Sequence, residues 1–345
     1  MTIAPLDGFQ SFPTHHCVTG SMRHIYAFNR HDVSEEMLLG LGAGVSFSYW
    51  HFKGQAPFLG GRGNVGMAGQ EGLEKTAGRR TGVAVEMFRT SSAKKAEASL
   101  LDQLAAGQPV MVAVDMGYLP YLNFGGQEYH FGGHVVVVCG HDSEQSGVLV
   151  ADRDGLHPVP LATLARARGS KFKPFPPGNQ WLTFDFSQKR LPAAADVWQA
   201  IAEQVRPMLS PPISNIGVKG MRKAAAAIPN WTALMSADEL RMALFNAYIF
   251  VSPTGGSGGG HFRYMFSRFL REAAGVAGES RLLDSAAEFE RIADGWAAVG
   301  EWFRQASEAP EPGACLGEVS APLRTLADQE EAAWRRLGEM TGQVL

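Results

Sequence analysis

The sequence has little cysteine, no long apolar run and no block of like charge. Its three cysteines are an odd number at scattered positions in 345 residues, so a disulfide framework is not expected. We therefore expect the protein to reside in a reducing compartment, the cytoplasm. No stretch approaches the roughly 18 apolar residues of a membrane span, and the N-terminal residues lack the basic and apolar regions of a secretory signal. With a formal net charge of -3 and no basic run, neither nucleic acid nor a membrane is an expected partner.

The chain is long enough to bury two hydrophobic cores. Short helices and β-favouring runs alternate in the first half, and the last strand is expected near residue 186. After about residue 190, long stretches carry apolar residues at helical spacing. We therefore predict an α+β protein in which an N-terminal domain with an antiparallel sheet, residues 1–190, precedes an α-helical domain, residues 191–345.

The clearest supersecondary unit is a β-hairpin. Two runs rich in β-branched residues, HVVVVCG and GVLVAD, are joined by a polar segment that ends in glycine, as a hairpin loop should. In an antiparallel hairpin the start of the first strand and the end of the second lie at the same end of the sheet. The hairpin is therefore expected to bring His134 and Asp152 within reach of each other.

Cys17 is expected to begin a helix over residues 17–28. Unpaired backbone N–H groups and the helix dipole favour an anion at a helix N-terminus, so they lower the pKa of a thiol there. A lone cysteine is also often a small buried apolar residue. A nucleophilic role for Cys17 therefore requires a partner base elsewhere in the chain.

His134 and Asp152 supply that partner. A carboxylate on one ring nitrogen fixes the tautomer and leaves the other nitrogen as a base, the arrangement that cysteine hydrolases and transferases need. Cys17, His134 and Asp152 are predicted to form a catalytic triad, in the chain order of papain-like enzymes. Taken singly, His134 could instead cap a sheet edge and Asp152 could begin a turn.

A metal site is the rival interpretation of the HHC segment. Three consecutive residues, His15 to Cys17, cannot surround a zinc ion tetrahedrally without distortion, and no Cys-x-x-Cys or His-Glu-x-x-His motif supports them. No metal is expected. The glycine-rich segment 255–260 lacks the Lys-Ser/Thr ending of a P-loop, so it is either a flexible or tightly packed turn or an anion-binding loop.

Several stretches together resemble one family: HHCVTGSMRHIYAF, SEEMLLGLGAGVSFSYW, LPYLNFGGQEYHFGGHVVVVCGHD, VLVADRDG and GGSGGGHFRYMFSRFLREAAG. Over nearly its whole length the chain resembles the butirosin biosynthesis protein H-like proteins. The resemblance implies a papain-like N-terminal domain and the helical domain usually attached to it. Carried over by motif, the nucleophile, base and acid fall on Cys17, His134 and Asp152.

The resemblance also implies a reaction class. The family's founding member is an acyltransferase that takes an aminoacyl group from the phosphopantetheine thiol of an acyl carrier protein and delivers it to an amine of an aminoglycoside antibiotic. By that resemblance, this chain is expected to move an acyl or aminoacyl group from a carrier-protein or CoA-type thioester to a small-molecule amine or hydroxyl. The expected route is an acyl-Cys17 intermediate, in natural product biosynthesis, with no permanently bound cofactor.

The residues that hold the developing oxyanion are less well defined by the sequence. The backbone N–H of Cys17, at the start of its helix, is the expected first donor. His16, directly before Cys17, and Gln10, upstream of it, are the candidates for a second donor. We expect one of these two residues to complete the oxyanion site.

Other residues are candidates for substrate binding. Gly42 and Gly44 are expected to line an acyl or pantetheine channel with the loop at residues 119–126, because glycine lets a ligand approach the backbone closely. Asp115 and Tyr121 are candidate binding residues of the same site. In the helical half, an arginine cluster at helical spacing is either a docking surface for an acidic carrier protein or a solvated face: Arg263, Arg268 and Arg271.

Two alternatives remain open. The same triad would serve a hydrolase, either a peptidase or a thioesterase, because only access of water or an acceptor to the acyl-enzyme separates hydrolysis from transfer. A papain-like protein that has lost activity and serves as a scaffold is the second alternative. A homodimer is also possible, since the helical domain is rich in apolar positions.

Overall fold

The structure is a computed structural model that describes residues 2–52, 56–66, 71–124, 129–173, 175–253 and 258–342. The chain forms two compact units. The first contains the chain up to Leu38 and Thr81–Leu191, and the second contains Leu39–Arg80 and the chain from Pro192 onward. The two predicted domains, 1–190 and 191–345, differ from this grouping chiefly in the segment Leu39–Arg80.

The predicted α+β class is confirmed by an antiparallel sheet in the first unit and a mainly helical second unit. The α-helices in chain order are α1 Cys17–Phe28, α2 Glu35–Leu41, α3 Leu73–Thr81, α4 Ala93–Ala105, α5 Leu161–Gly169, α6 Ala194–Leu209, α7 Gly217–Ala227, α8 Ala237–Val251, α9 Gly259–Ala277, α10 Arg281–Glu308 and α11 Ser320–Met340. The strands are β1 Val45–Trp50, β2 Phe58–Arg62, β3 Ala84–Phe88, β4 Val110–Val114, β5 His134–Asp142, β6 Gly147–Asp152, β7 Gly155–Pro160 and β8 Trp181–Asp185. In the described part of the chain, no helix combines the length and apolar character needed to cross a bilayer.

The first unit is built on a six-stranded antiparallel sheet with the order β3-β8-β4-β5-β6-β7. Central strands β4, β5 and β6 are buried almost throughout, which explains why they read as continuous apolar runs and not as alternating ones. On one face, valines of these strands pack with leucines of α4 and α5: Val112, Val136, Val138, Val150, Leu100, Leu104 and Leu164.

The predicted hairpin is present as β5 and β6, and its register brings the predicted base and acid together. Val137 pairs with Ala151, so Asp152 lies across from Val136. On β5, His134 is two residues from Val136, so it lies on the same face of the sheet as Asp152. Long side chains in this diagonal relation on neighbouring strands can meet. The other neighbour of His134 is Val114, at the end of β4.

Helix α1 begins at Cys17, as predicted, and it packs beside β5, where the Ser21 hydroxyl donates to the Val135 carbonyl at 3.4 Å. The preceding loop is tied to the far end of the hairpin by a 2.9 Å bond from Thr14 N–H to the Arg153 carbonyl. Thr14 also packs over Gly20 in the middle of α1, where an added Cβ would lie 2.6 Å from the Thr14 Cβ. Glycine at this position therefore lets the loop lie against the helix.

The second unit has a buried ion pair at its centre. Arg263 and Glu330 are both fully buried and form two hydrogen bonds of 2.8 Å, and the indole N–H groups of Trp296 and Trp334 also donate to Glu330. Arg263 also donates to the Ser46 carbonyl at 2.8 Å. The prediction that Arg263 faces a carrier protein is therefore wrong, because its guanidinium is used within the core.

The described part of the glycine-rich segment is a tight turn into α9. Gly258 is the N-cap of α9, and both Gly258 and Gly259 have positive φ values. A Cβ on Gly260 would lie 3.0 Å from the Ala293 carbonyl oxygen of α10, so the two helices approach closely at this point. These three glycines fit the tightly packed alternative, and residues 254–257 lie outside the described residues.

We expect Gly20→Ala to destabilise the protein, although alanine is the better helix former. The new methyl group would overlap Thr14, and overpacking of this kind costs about 1–3 kcal/mol. The matched control is Gly275→Ala in α9, where no atom lies within 4 Å and which should gain about 0.5–1 kcal/mol. Urea denaturation of both variants measures the difference, and equal stabilisation by both would contradict the packing at Gly20.

We expect Glu330→Gln to destabilise the protein by about 3–5 kcal/mol, because it leaves the Arg263 charge buried without a counter-charge. Glu301→Gln, in an exposed pair with Arg304, is the control and should unfold close to the wild-type denaturant midpoint. Indistinguishable midpoints for the two variants would show that the buried pair contributes no more than the surface pair.

Candidate active site

The structure brings the three predicted triad residues together in the first unit. His134 Nε2 and Asp152 Oδ2 are 2.7 Å apart, and His134 is near enough to Cys17 to lower the pKa of its thiol. His134 and Asp152 are 3% and 5% exposed, whereas Cys17 is only partly buried. With Nε2 turned to the carboxylate, Nδ1 is the nitrogen left for the sulfur. Of the three residues, Cys17 is therefore the one that solvent reaches most.

Asp152 accepts hydrogen bonds from three directions. Besides His134, it accepts from the Tyr121 hydroxyl at 2.9 Å and from the Arg153 N–H at 2.8 Å. Tyr121 stacks on His157, with ring centroids 3.8 Å apart. Tyr121 therefore contacts the predicted triad through the Asp152 carboxylate, and its role in substrate binding stays a prediction.

These contacts perturb the pKa values of all three residues. Burial would raise the pKa of the Cys17 thiol, but the charge of His16 and hydrogen bonds from His134 and His16 hold it well below its usual value. Burial would lower the pKa of His134, yet the Asp152 charge and hydrogen bonds to Asp152 and Cys17 raise it to about 9. Against its own burial, Asp152 is held at a pKa of about 2, chiefly by the His134 charge. The directions of the shifts at Cys17 and His134 both favour a thiolate beside an imidazolium.

A second histidine and a second carboxylate also lie at Cys17. His16 is the N-cap of α1, and its Nδ1 lies 3.1 Å from the Thr19 hydroxyl. That hydroxyl donates to Glu35 at 3.0 Å. The sequence pattern concealed Glu35, because an acid after Ser34 reads as an ordinary first-turn residue of α2. Glu35 differs from an ordinary first-turn acid because it is 95% buried, and this burial is visible only in the structure.

Two sets of comparisons bear on identity. A family profile described as Butirosin biosynthesis protein H, N-terminal matches residues 16–153, which include all three triad residues. A second profile, described as a domain of unknown function (DUF4872), matches residues 162–337. Residues 16–153 belong to the butirosin biosynthesis protein H N-terminal family. No curated protein matches the chain.

The family resemblance inferred from motifs is thereby confirmed, while the roles of the triad residues stay predictions. In this butirosin biosynthesis protein H-like chain, the three cysteines Cys17, Cys139 and Cys315 are all free thiols. Among the described residues, no group of three or more His, Cys, Asp or Glu side chains is arranged to hold a metal ion.

The backbone around Cys17 narrows the choice of oxyanion donors. Glu35 accepts from the N–H groups of His15 and His16, at 2.9 and 2.7 Å, so neither of these N–H groups is free for a substrate. In the described part of the chain, no acceptor is bound to the first two N–H groups of α1, those of Cys17 and Val18. These two N–H groups are the available donors.

Gln10, the other candidate for an oxyanion donor, is exposed. Phe9 is buried and packs near His24 and Phe28, which directs the next residue, Gln10, to solvent. Among the described residues, no contact joins Gln10 to Cys17 or His134. The role of Gln10 as an oxyanion donor stays a prediction.

Asp115 lies next to the site along β4 but is not open to a ligand. It is fully buried and accepts four hydrogen bonds, from the side chains of His130 and Ser170 and from the N–H groups of Gly117 and Phe131, at 2.6 to 3.1 Å. With its oxygens occupied, the carboxylate fixes the loops after β4 and α5. The predicted substrate-binding role of Asp115 is therefore replaced by a structural one.

Gly42 and Gly44 belong to the second unit, not to the unit that holds the triad. The Gly42 carbonyl accepts from the Asn64 side chain at 2.8 Å. A Cβ on Gly44 would meet the side chains of Leu39 and Leu73 at 2.5 and 2.6 Å. We expected a ligand to approach the backbone at these glycines, but side chains of the same unit approach it instead: Asn64 at Gly42, and Leu39 and Leu73 at Gly44. Of the loop predicted to face them, residues 125–126 lie outside the described residues.

The lowered pKa of Cys17 predicts selective alkylation below neutral pH. At pH 6 iodoacetamide should modify Cys17 at least about tenfold faster than Cys315, the other partly exposed cysteine, because each unit by which a pKa falls raises the thiolate fraction about tenfold. Cys139 should stay unmodified, since burial raises its pKa to about 12. Peptide mass spectrometry against time gives the rates, and equal rates at Cys17 and Cys315 would contradict the thiolate.

Proposed function

We propose that this chain is a cysteine-dependent acyltransferase. It moves an acyl or aminoacyl group from a carrier-protein or CoA-type thioester to a small-molecule amine or hydroxyl through an acyl-Cys17 intermediate. The observation that carries the proposal is the contact of a partly exposed, anion-favouring Cys17 with a buried His134–Asp152 pair, inside the segment matched by the butirosin biosynthesis protein H profile. Membership of a family named for a biosynthesis protein favours transfer over degradation.

In the first half of the reaction, the Cys17 thiolate attacks the thioester carbonyl. A carbon–sulfur bond forms, and the carbonyl electrons move to oxygen, where the N–H groups of Cys17 and Val18 are placed to hold the charge. The bond to the donor sulfur then breaks. The donor leaves as a thiol after taking the proton from Nδ1 of His134, which becomes neutral.

In the second half, the acceptor attacks the acyl-Cys17 carbonyl. The acceptor nitrogen or oxygen bonds to the carbonyl carbon, its proton passes to Nδ1 of His134, and the carbon–sulfur bond breaks with its electrons staying on Cys17. This restores the thiolate and the imidazolium. Asp152 keeps the imidazole in place in both halves, because its Oδ2 remains bound to Nε2.

The proposed fold of the first unit is papain-like. An N-terminal helix that begins with the nucleophile, followed by a base and an acid on adjacent antiparallel strands, supports that assignment. The proposed donor is the phosphopantetheine thioester of an acyl carrier protein, with no permanently bound cofactor. The cytoplasm is the proposed compartment, where free thiols such as those of this chain stay reduced.

We expect Cys17→Ala to lower acyl transfer by at least about a thousandfold, because the covalent intermediate cannot form. The wild type is incubated with a panel of acyl-N-acetylcysteamine thioesters, with and without amines. Intact-protein mass spectrometry detects an acyl adduct, and chromatography detects the amide product. Cys315→Ala removes a thiol outside the site and is the control, expected to react like the wild type.

The outcomes separate the candidate functions. An adduct on Cys17 that yields amide when an amine is present supports transfer. An adduct that yields only free acid, whatever amine is offered, would identify the hydrolase alternative. Full transfer by Cys17→Ala, with no adduct on the wild type, would overturn the assignment of the nucleophile.

A further inference from the structure

A surface cleft with a volume of about 640 Å³ lies beside the end of β4, in the unit that holds the triad. Small-molecule sites commonly have volumes in this range. The walls of the cleft come from the first turn of α4, the loop after β4, and the end of α5 with the residues that follow it. Among the described residues that line the cleft there is no Asp or Glu, and the triad mechanism makes no use of it.

Two exposed cations, Arg166 and Lys171, line the cleft. Neither forms a hydrogen bond or an ion pair within the described ranges. The Arg166 guanidinium lies over the Tyr118 ring, 4.8 Å from its centroid, so it is held in place without a carboxylate. Phe172 lines the same cleft with one face stacked on His130. The cleft therefore presents positive charge and aromatic surface together.

The N-terminus of α4 lies at the same cleft, because Ala93, the first residue of this 13-residue helix, is one of the lining residues. The Ser92 side chain caps the helix by accepting from the Lys95 N–H. No acceptor in the described part of the chain is bound to the N–H groups of Ala93 and Lys94. Unpaired N–H groups and the helix dipole favour an anion at this end of a helix.

A third cation, Arg168, is directed at the same turn of α4 but is only 2% exposed. Its Nη1 donates to the Ala96 carbonyl at 3.1 Å, whereas Nε and Nη2 are buried without a hydrogen-bond partner among the described residues. Arg168 lines a cavity of about 10 Å³ that shares Ala93 and Ala165 with the cleft. Glu97 also lines this cavity but is bound to neither nitrogen. An anion in the adjoining cleft would offset part of the cost of this buried charge.

Stabilisation of α5 is the simpler explanation of these cations. Arg166 and Arg168 are in the last turn of α5, where positive charge offsets the helix dipole. This explanation does not cover Lys171, which lies beyond α5, and it gives no reason to bury Arg168 against the N-terminus of a second helix. Asp115 is not their counter-charge either. It lies behind Ser170, and its four hydrogen bonds come from other donors.

The loop after β4 connects the cleft to the triad. Tyr118 lines the cleft, and three residues later Tyr121 donates to Asp152 at 2.9 Å. At the start of the same loop, Val114 pairs with His134. A long donor whose anionic end is bound in the cleft would therefore extend along this loop to reach the triad.

We propose that the cleft binds the phosphate group of the thioester donor. Arg166, Lys171 and the first N–H groups of α4 are its ligands, and Arg168 adds a buried charge that water screens little. A phosphate joined to the thiol by a long flexible chain is common to CoA thioesters and to the phosphopantetheine arm of a carrier protein. The inference rests on the proposed function, because that function supplies the identity of the donor.

The test compares the binding of 4′-phosphopantetheine with that of pantetheine, which lacks only the phosphate. Isothermal titration calorimetry under reducing conditions gives both Kd values without turnover. The wild type should bind phosphopantetheine at least about tenfold more tightly, because the phosphate gains charge-assisted hydrogen bonds. Arg166→Gln combined with Lys171→Gln should reduce this preference to about twofold or less and leave the affinity for pantetheine unchanged. Lys75→Gln with Arg324→Gln, two exposed cations of the second unit, is the control and should keep the wild-type preference.

Arg168→Met tests the buried charge separately from the exposed ones. It should weaken phosphopantetheine binding by about threefold, because a charge at longer range contributes less than a direct ligand. Binding of pantetheine should not change. An unchanged Kd for phosphopantetheine would overturn the contribution of Arg168. If this variant does not fold, the double substitution at the exposed cations decides the proposal by itself.

Equal wild-type Kd values for phosphopantetheine and pantetheine, or a phosphate preference that survives the double substitution, would overturn the proposal. Coenzyme A distinguishes the two sources of the phosphate. A Kd for coenzyme A at least about tenfold below that of phosphopantetheine identifies a CoA thioester as the donor, because the nucleotide then adds to binding. Similar Kd values identify the arm of a carrier protein.

Failure of the proposed function looks different. In that case no acyl adduct forms on Cys17 with any thioester, including the N-acetylcysteamine thioesters, which carry no phosphate. If only the phosphate site is wrong, these short thioesters still acylate Cys17, and the double substitution changes no Kd.

Discussion

At the open end of the β5–β6 hairpin, a 2.7 Å hydrogen bond joins two side chains that are each at least 95% buried, His134 and Asp152. Neither group tolerates burial alone, because an isolated charge in the protein interior is costly. Their pairing raises the pKa of the histidine and lowers that of the carboxylate. The hydrogen bond from the Thr14 N–H to the Arg153 carbonyl connects the loop before Cys17 to the residue after Asp152. The position of Cys17 therefore depends on the strand end that carries Asp152.

A second buried carboxylate, Glu35, is bound to the backbone just before Cys17. It accepts from two backbone N–H groups and from Thr19, and so it fixes the loop from which α1 starts. It binds the N–H groups of His15 and His16, whereas in the described part of the chain no acceptor is bound to the N–H groups of Cys17 and Val18. One carboxylate is therefore bound to His134, and the other fixes the backbone just before Cys17.

The fold and the triad could be predicted to a large extent because they depend on local patterns. Helix α1 has the predicted bounds, and the hairpin follows from two β-branched runs and a polar loop, whose antiparallel pairing alone places His134 near Asp152. The binding residues were harder to predict because they depend on which way a side chain faces. Gln10 points to solvent beside a buried Phe9, and Asp115 is fully occupied by four donors.

The sequence by itself determined the class of the fold, the family and the identity of the cysteine, histidine and acid that come together. These are properties of spacing, hydrophobic pattern and motif. Only the tertiary structure decided that Arg263 is buried in a core and that Glu35 and Thr19 stand behind His16. Burial and long-range pairing leave no signal in the local pattern, since an acid in the first turn of a helix reads the same whether it faces water or a nucleophile.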